Sequence, residues 1–332
     1  MAGTIGSDVS GSSNVFDRIR AGCRAVAEVS RSVWIDEEAL VRCAESQSAL
    51  LVAPPRYDEE AHFLGRPDDT VAYVVTLDAV NFGSGYFPHL AKRPGHSGYF
   101  TVAMALADRF RRRGPLTAGD LTRITAGECA ELFGQSLRDA AVRELMGLFA
   151  HAWNDLGRDL TERFHGSFLQ LVEAAGGSAE HLVEIVDAQP FFRDVATYNG
   201  RDVPFYKRAQ ILASDLALAL RGEPWGRFRD LDRLTIFADN LVPHVLRIDG
   251  VLGFDSSLVA RIEREELLDA GSREEVEIRA CAVHAVERLV EELRARGRAV
   301  TARDLDLCLW TRGQAPRYKA HAHRHRTRCV FY

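Results

Sequence analysis

Single charges set inside otherwise apolar runs constrain this chain more than any other feature. Asp78 follows VAYVVTL and precedes AVNF, and Asp239 stands in LTIFADNLVP. Lys207 opens YKRAQILASDLALAL, with Asp215 in its middle, and Glu277 and Arg279 fall within EVEIRACAV. Taking a charge out of water is costly unless the charge is paired or hydrogen-bonded. A fold that buries these segments must therefore pair the charges internally or gather them around a site. Asp215 can pair with Arg208, Glu277 with Arg279, and Asp239 can cap the turn before Pro243. The same residues are candidates for binding a ligand.

Around these charges, apolar residues recur mostly at helical spacing. Val15–Val33 reads as an amphipathic helix and Ile35–Leu51 as a second, ending before Pro54-Pro55. Residues 54–69 form a charged, proline-bearing loop. Thr70–Phe82 is continuously apolar and β-branched, so it suits a strand or a buried helix. After a glycine-bearing loop over 83–98, helices are expected over Tyr99–Arg112, Asp120–Thr125, Cys129–Phe133, Leu137–Leu156, Leu160–Phe164, Phe168–Ala175 and Ala179–Asp187. Further helices are expected over Phe205–Leu220, Leu231–Leu246 and Thr301–Leu309. Ser272–Arg296 carries the clearest helical signal: Ser272 and Glu275 form a capping box, and Gly297 supplies the stop. No linker divides the chain, so one helical domain over residues 15–332 is expected, behind a disordered Gly/Ser-rich lead-in over 1–14.

Composition narrows the function. The 332 residues are 46% hydrophobic and 27% charged, enough apolar material for a substantial core. A net charge of −5 and a pI near 6.1 argue against a stable nucleic-acid partner, despite local basic runs at Arg111–Arg113 and the C-terminus. No apolar run is long enough to span a membrane, and residues 1–14 lack the pattern of a signal peptide. The six cysteines include no CxxC pair, which disfavours a zinc ribbon and suits the cytoplasm. His321, His323 and His325 alternate as metal ligands can. The interleaved Arg324, Arg326 and Arg328 would repel a cation, so no metal site is expected. Gly83-Ser84-Gly85 lacks the context of a phosphate loop.

On the Phe205–Leu220 helix, Lys207, Gln210, Ile211, Ser214 and Leu218 share one face. A polar face flanked by Phe205 and Tyr206 can line a pocket for a planar ligand, or it can be a solvated face.

Taken together, these segments resemble the signature stretches of the queuosine salvage family. LDAVNF (77–82), FFRDVATYNGRDVPFYKRAQILASDL (191–216), LTIFADNLVPHVLRIDGVL (234–252), GSREEVEIRACAVHAVE (271–287) and HRTRCVFY (325–332) occur in the family's order. The sequence departs from the family pattern at Gly83-Ser84-Gly85 and after Trp310. The resemblance implies an all-α fold similar to helical DNA glycosylases, which favours helix for Thr70–Phe82. It also implies hydrolysis of queuosine 5′-monophosphate to queuine and ribose 5-phosphate, with no cofactor.

N-glycoside cleavage passes through an oxocarbenium-like sugar, which a carboxylate can stabilise, attack or supply with activated water. Queuine is a 7-deazaguanine and has no basic N7 to protonate, so weight falls on the sugar side and on donors to the base edge. The resemblance assigns the catalytic carboxylate to Asp239. It suggests Lys207 for the phosphate or base edge and Asp78 with Asn81 for the base or its cationic side arm. Phe82, Phe205 and Tyr206 are expected to sandwich the base, with Gln210 beside them. Arg328 is a candidate phosphate contact. The competing expectations are a nucleic-acid glycosylase or lesion-binding protein, and a nucleoside-binding protein without activity.

Overall fold

The computed structural model describes residues 14–46, 57–320 and 322–332. The lead-in expected over 1–14 lies outside them except for Asn14, as do His321 and the end of the second expected helix. Among the described residues the chain is predominantly helical, with two short antiparallel ribbons.

Helix α1 (Val15–Ala27) stops short of the expected Val33, because Val33–Ile35 forms strand β1. Helix α2 (Glu37–Glu45) follows, capped by Asp36. Helix α3 (Pro67–Asp78) settles the ambiguous segment, and every residue from Thr70 to Asp78 is buried. A helix apolar all round belongs in the interior, where burial outweighs β-propensity.

Helix α4 (Gly98–Arg113) leads to the short α5 (Ala118–Arg123) and α6 (Ala126–Phe133), each opened by a threonine capping box. The two helices expected over 137–164 are one, α7 (Ala140–Phe164), in which Gly157 lets the α5 backbone approach. Helices α8 (Phe168–Ala174) and α9 (Ala179–Asp187) precede a hairpin of β2 (Val195–Tyr198) and β3 (Arg201–Pro204), turned at Asn199-Gly200. Both turn residues have positive φ, 49° and 75°, as a tight hairpin of this kind requires.

Helix α10 (Lys207–Ala219) is followed by the largest departure from expectation. In place of a helix over Leu231–Leu246 stand a 3-10 turn (Leu231–Arg233), a non-helical stretch through Asn240, and then α11 (Val242–Ile248). The backbone of that stretch is satisfied by side chains from elsewhere. Thr235 N donates to Gln210 Oε1 and Phe237 N donates to Asp306 Oδ1.

Strand β4 (Leu252–Phe254) pairs with β1 in the register Trp34 to Gly253. Helix α12 (Ser256–Glu263) leads to α13 (Arg273–Ala295), which packs on α1, α2, α11 and α14. Ser272 caps α13 as expected, but the Glu275 carboxylate bonds Gly271 N and completes no box. Helices α14 (Ala302–Gly313) and α15 (Pro316–Ala320) complete the helical set. The last residues run extended into the core, burying His325, Thr327, Cys329 and Tyr332. Their passage explains Gly85: a Cβ there would stand 2.2 Å from the Thr327 carbonyl oxygen.

Candidate active site

A cavity of about 470 Å³ opens where these elements meet, within the size range of small-molecule sites. The segment just after α3 contributes Asn81 and Phe82, and the start of α4 contributes Tyr99 and Phe100. Helix α10 presents Lys207, Ile211, Asp215 and Leu218; the non-helical stretch presents Phe237 and Asp239; α14 presents Asp306 and Trp310.

Aromatic rings form much of the wall. Tyr99 and Phe100 meet Trp310 edge-on, with ring centres 6.2 and 6.0 Å apart. His62 Nε2 is 2.8 Å from the Tyr99 hydroxyl. Exposed cations Lys92, Lys319 and Arg324 border the opening, interspersed with Asp58 and Glu265.

Asp239 serves two ends. Its Oδ1 accepts from Leu241 N at 2.7 Å and Val242 N at 3.0 Å, which ties down the start of α11. Its Oδ2 makes no hydrogen bond among the described residues, and the residue lines the cavity. Lys207 and Arg324 lie within electrostatic reach of that carboxylate. Lys207 is buried, and among the described residues its Nζ donates one long bond, 3.5 Å, to the Asn81 carbonyl. Burial pulls the ammonium below the usual lysine range, and the Asp239 charge opposes that pull.

Three further carboxyls surround this pair. Burial pushes Asp306 up to about 7, helped by the Asp239 charge and opposed by the bond from Phe237 N. Burial likewise pushes Asp215 up to about 7, against Arg303 and Lys207. Asp78 is wholly buried and held well above the carboxylate range, by burial first and by Asp215 second. Asn81 donates to its Oδ1 at 3.3 Å, and its Oδ2 has no partner among the described residues.

Of the residues expected from sequence, the cavity brings together Asp239, Lys207, Asn81 and Phe82. Asp78 stands behind the wall rather than in it. The base sandwich expected of Phe205 and Tyr206 is not present in this geometry. The Phe205 ring lies 4.0 Å beneath the Arg279 guanidinium, and Tyr206 enters α10 with φ 48°. Neither lines the cavity. Gln210 is buried away from it, bonded to Phe205 O and to Thr235. Arg328 lies over the Tyr86 ring, with Glu144 at 3.8 Å.

The expected ion pairs also differ. Arg208 does not pair with Asp215; it donates to the carbonyls of Asp78, Ala79, Phe191 and Val330. Glu277 does not pair with Arg279; it accepts from the amides of Arg31 and Ser32 and from the Tyr198 hydroxyl. His325 is buried, with burial pressing its pKa down to about 3, whereas His323 is exposed beside Glu265.

Asp306 and the aromatic wall escaped the sequence reading. A signal for Asp306 exists: in TARDLDLCLW the capping box of Thr301 consumes Asp304, which leaves Asp306 unexplained among leucines.

A helical fold around an aromatic cavity that gathers Asp239, a buried lysine and two carboxyls pushed up to about 7 is the kind of site that can take a planar, polar small molecule. The comparisons with known proteins are more specific. The model of the queuosine salvage protein family matches residues 61–332, and the chain belongs to that family. It is 40% identical to a Sphaerobacter thermophilus protein named queuosine 5′-phosphate N-glycosylase/hydrolase, over 93% of this chain and 96% of the relative. A Mus musculus protein of the same name is 31% identical over 94% of this chain and 98% of its own length. One from Dictyostelium discoideum is 32% identical over 79% and 78%.

Proposed function

We propose that this protein hydrolyses the N-glycosidic bond of queuosine 5′-monophosphate, releasing queuine and ribose 5-phosphate for salvage of a tRNA-modification base. The observation that carries the reading is the meeting of Lys207 and Asp239, 32 positions apart in sequence, at one aromatic cavity. The base enters among Phe82, Tyr99, Phe100 and Trp310, whose faces and edges suit a planar heterocycle. The ribose lies at Asp239, whose carboxylate stabilises positive charge at the anomeric carbon as the bond to the base breaks, and orients the water that adds there.

Asp215 and Asp306 remain partly protonated at neutral pH. They can therefore donate hydrogen bonds to the departing base, which has no N7 to protonate. The Lys207 ammonium lies within electrostatic reach of the Asp239 carboxylate and lines the same cavity. The cations at the opening take the 5′-phosphate, and the net charge of −5 favours a free nucleotide over a nucleic acid as substrate. Free cysteines suit the cytoplasm, where we place the protein.

Asp239→Asn tests the assignment, because the amide oxygen can still cap Leu241 and Val242 while the charge is gone. Turnover should fall by roughly 10²–10⁴-fold with nucleotide binding retained, as read by single-turnover assay and calorimetry. Wild-type turnover in that variant would remove Asp239 from the chemistry.

A further inference from the structure

The residues that hold Lys207 and Asp239 in place share one buried ion pair. Asp194 and Arg279 are each 2% exposed. The Arg279 guanidinium grips Asp194 in a two-pronged bond, Nη1 to Oδ1 at 2.9 Å and Nη2 to Oδ2 at 2.6 Å. Its third donor, Nε, bonds the carbonyl of Ala238 at 3.0 Å, the residue immediately before Asp239. On the far side, Asp194 fastens the entry to α10. Its carbonyl accepts from Phe205 N and Tyr206 N, and its Oδ2 accepts from Lys207 N at 3.1 Å. The guanidinium plane is itself fixed between the rings of Phe205 and Tyr332, at 4.0 and 4.8 Å.

From this geometry we propose that Asp194 and Arg279 are positioning residues which set the spacing between Lys207 and Asp239, and through it the rate of the reaction. A buried ion pair is a poor way to gain stability, since apolar residues of equal volume often do as well. Apolar residues could not hold the Ala238 carbonyl and the Lys207 amide at once. The planar, five-donor fork of arginine can bridge the two, and a lysine ammonium cannot reproduce that geometry. Tyr206, with its left-handed backbone and no side-chain cap on α10, depends on Asp194 for the same reason. The proposal rests on the reading that Lys207 and Asp239 act on the glycosidic bond.

The test compares Arg279→Lys and Asp194→Asn with Glu277→Gln in the full chain. Glu277 is also fully buried on α13, but its partners are Arg31, Ser32 and Tyr198. With queuosine 5′-monophosphate as probe, Arg279→Lys should lower kcat by about 10²-fold while KM changes less than about threefold, the signature of misplaced reacting groups. Asp194→Asn keeps the shape and should show the same split, less severely. It carries the test if Arg279→Lys does not fold. Glu277→Gln should lose stability without that split, measured per folded molecule by circular dichroism and thermal midpoint.

Turnover of Arg279→Lys or Asp194→Asn within about threefold of wild type would overturn the proposal. So would a fall no greater than that of Glu277→Gln. Absence of turnover in the wild-type protein would instead overturn the reading of the site itself, and this proposal with it.

Discussion

Asp306 shows how one side chain couples the site to stability. Its carboxyl is buried, its Oδ1 accepts from Phe237 N, and burial raises its pKa from the ordinary 3.8 to about 7. Between those two values the folded protein keeps the proton and the unfolded chain releases it. The folded state therefore loses stability as pH rises through that window. Asparagine keeps the acceptor and never ionises. Asp306→Asn should thus gain on wild type by about 2–3 kcal/mol between about pH 5 and about pH 8, as read from urea midpoints. A pH-independent difference would show that Asp306 is ionised throughout. At this scale the sequence signalled the charges but not their surroundings. Asp239 stood out as a charge inside an apolar run and Lys207 as the charge that opens one, and the family resemblance then singled out these two among several such charges. Of the expected α10 face, Lys207, Ile211 and Leu218 line the cavity, but Asp215 joins them in place of Gln210 and Ser214, and Ser214 accepts from Arg303. Periodicity identifies a face to within about 100°, too coarse to tell neighbouring positions apart.

At the level of elements, glycines decide which helices can touch. Gly157 of α7 is buried against α5, where an added Cβ would stand 2.5 Å from Thr122 N and 2.7 Å from the Ala118 carbonyl. Gly147, on the same helix, has nothing within 4 Å. Alanine at Gly147 should stabilise by about 0.5–1 kcal/mol through helix propensity. Alanine at Gly157 should destabilise by about 1–3 kcal/mol, because α5 must move. Thermal midpoints should shift in opposite directions, and equal shifts would mean that the α5–α7 contact does not depend on Gly157. Most helices were legible because their caps and apolar stripes are local. The Asn199-Gly200 hairpin was missed although its turn dipeptide is a strong local signal. The stretch around Asp239 was misread as helix for another reason: its amides bond to Gln210 and Asp306, partners no local pattern can reveal. That backbone is non-helical where the site needs it, since an extended segment can turn Asp239 toward the cavity and leave its other oxygen to cap α11.

Across the whole molecule, long-range links assemble the site. The core helix α13 carries Arg279, which reaches Asp194 before the hairpin and the carbonyl beside Asp239. The final extended segment closes the far wall through Tyr332, whose hydroxyl donates to Glu275. None of these links is readable from spacing alone. The family's ordered segments mark which stretches matter, and the fold shows that several of them, including Gln210 and Arg208, hold the cavity's walls without entering it. The central claim is that this cavity cleaves a 7-deazaguanine nucleotide. Its most direct test incubates the purified chain with queuosine 5′-monophosphate, queuosine and GMP, and follows free base by chromatography. The account predicts stoichiometric release of queuine and ribose 5-phosphate from the monophosphate, slower release from the nucleoside and none from GMP. No release of queuine from the monophosphate would contradict it.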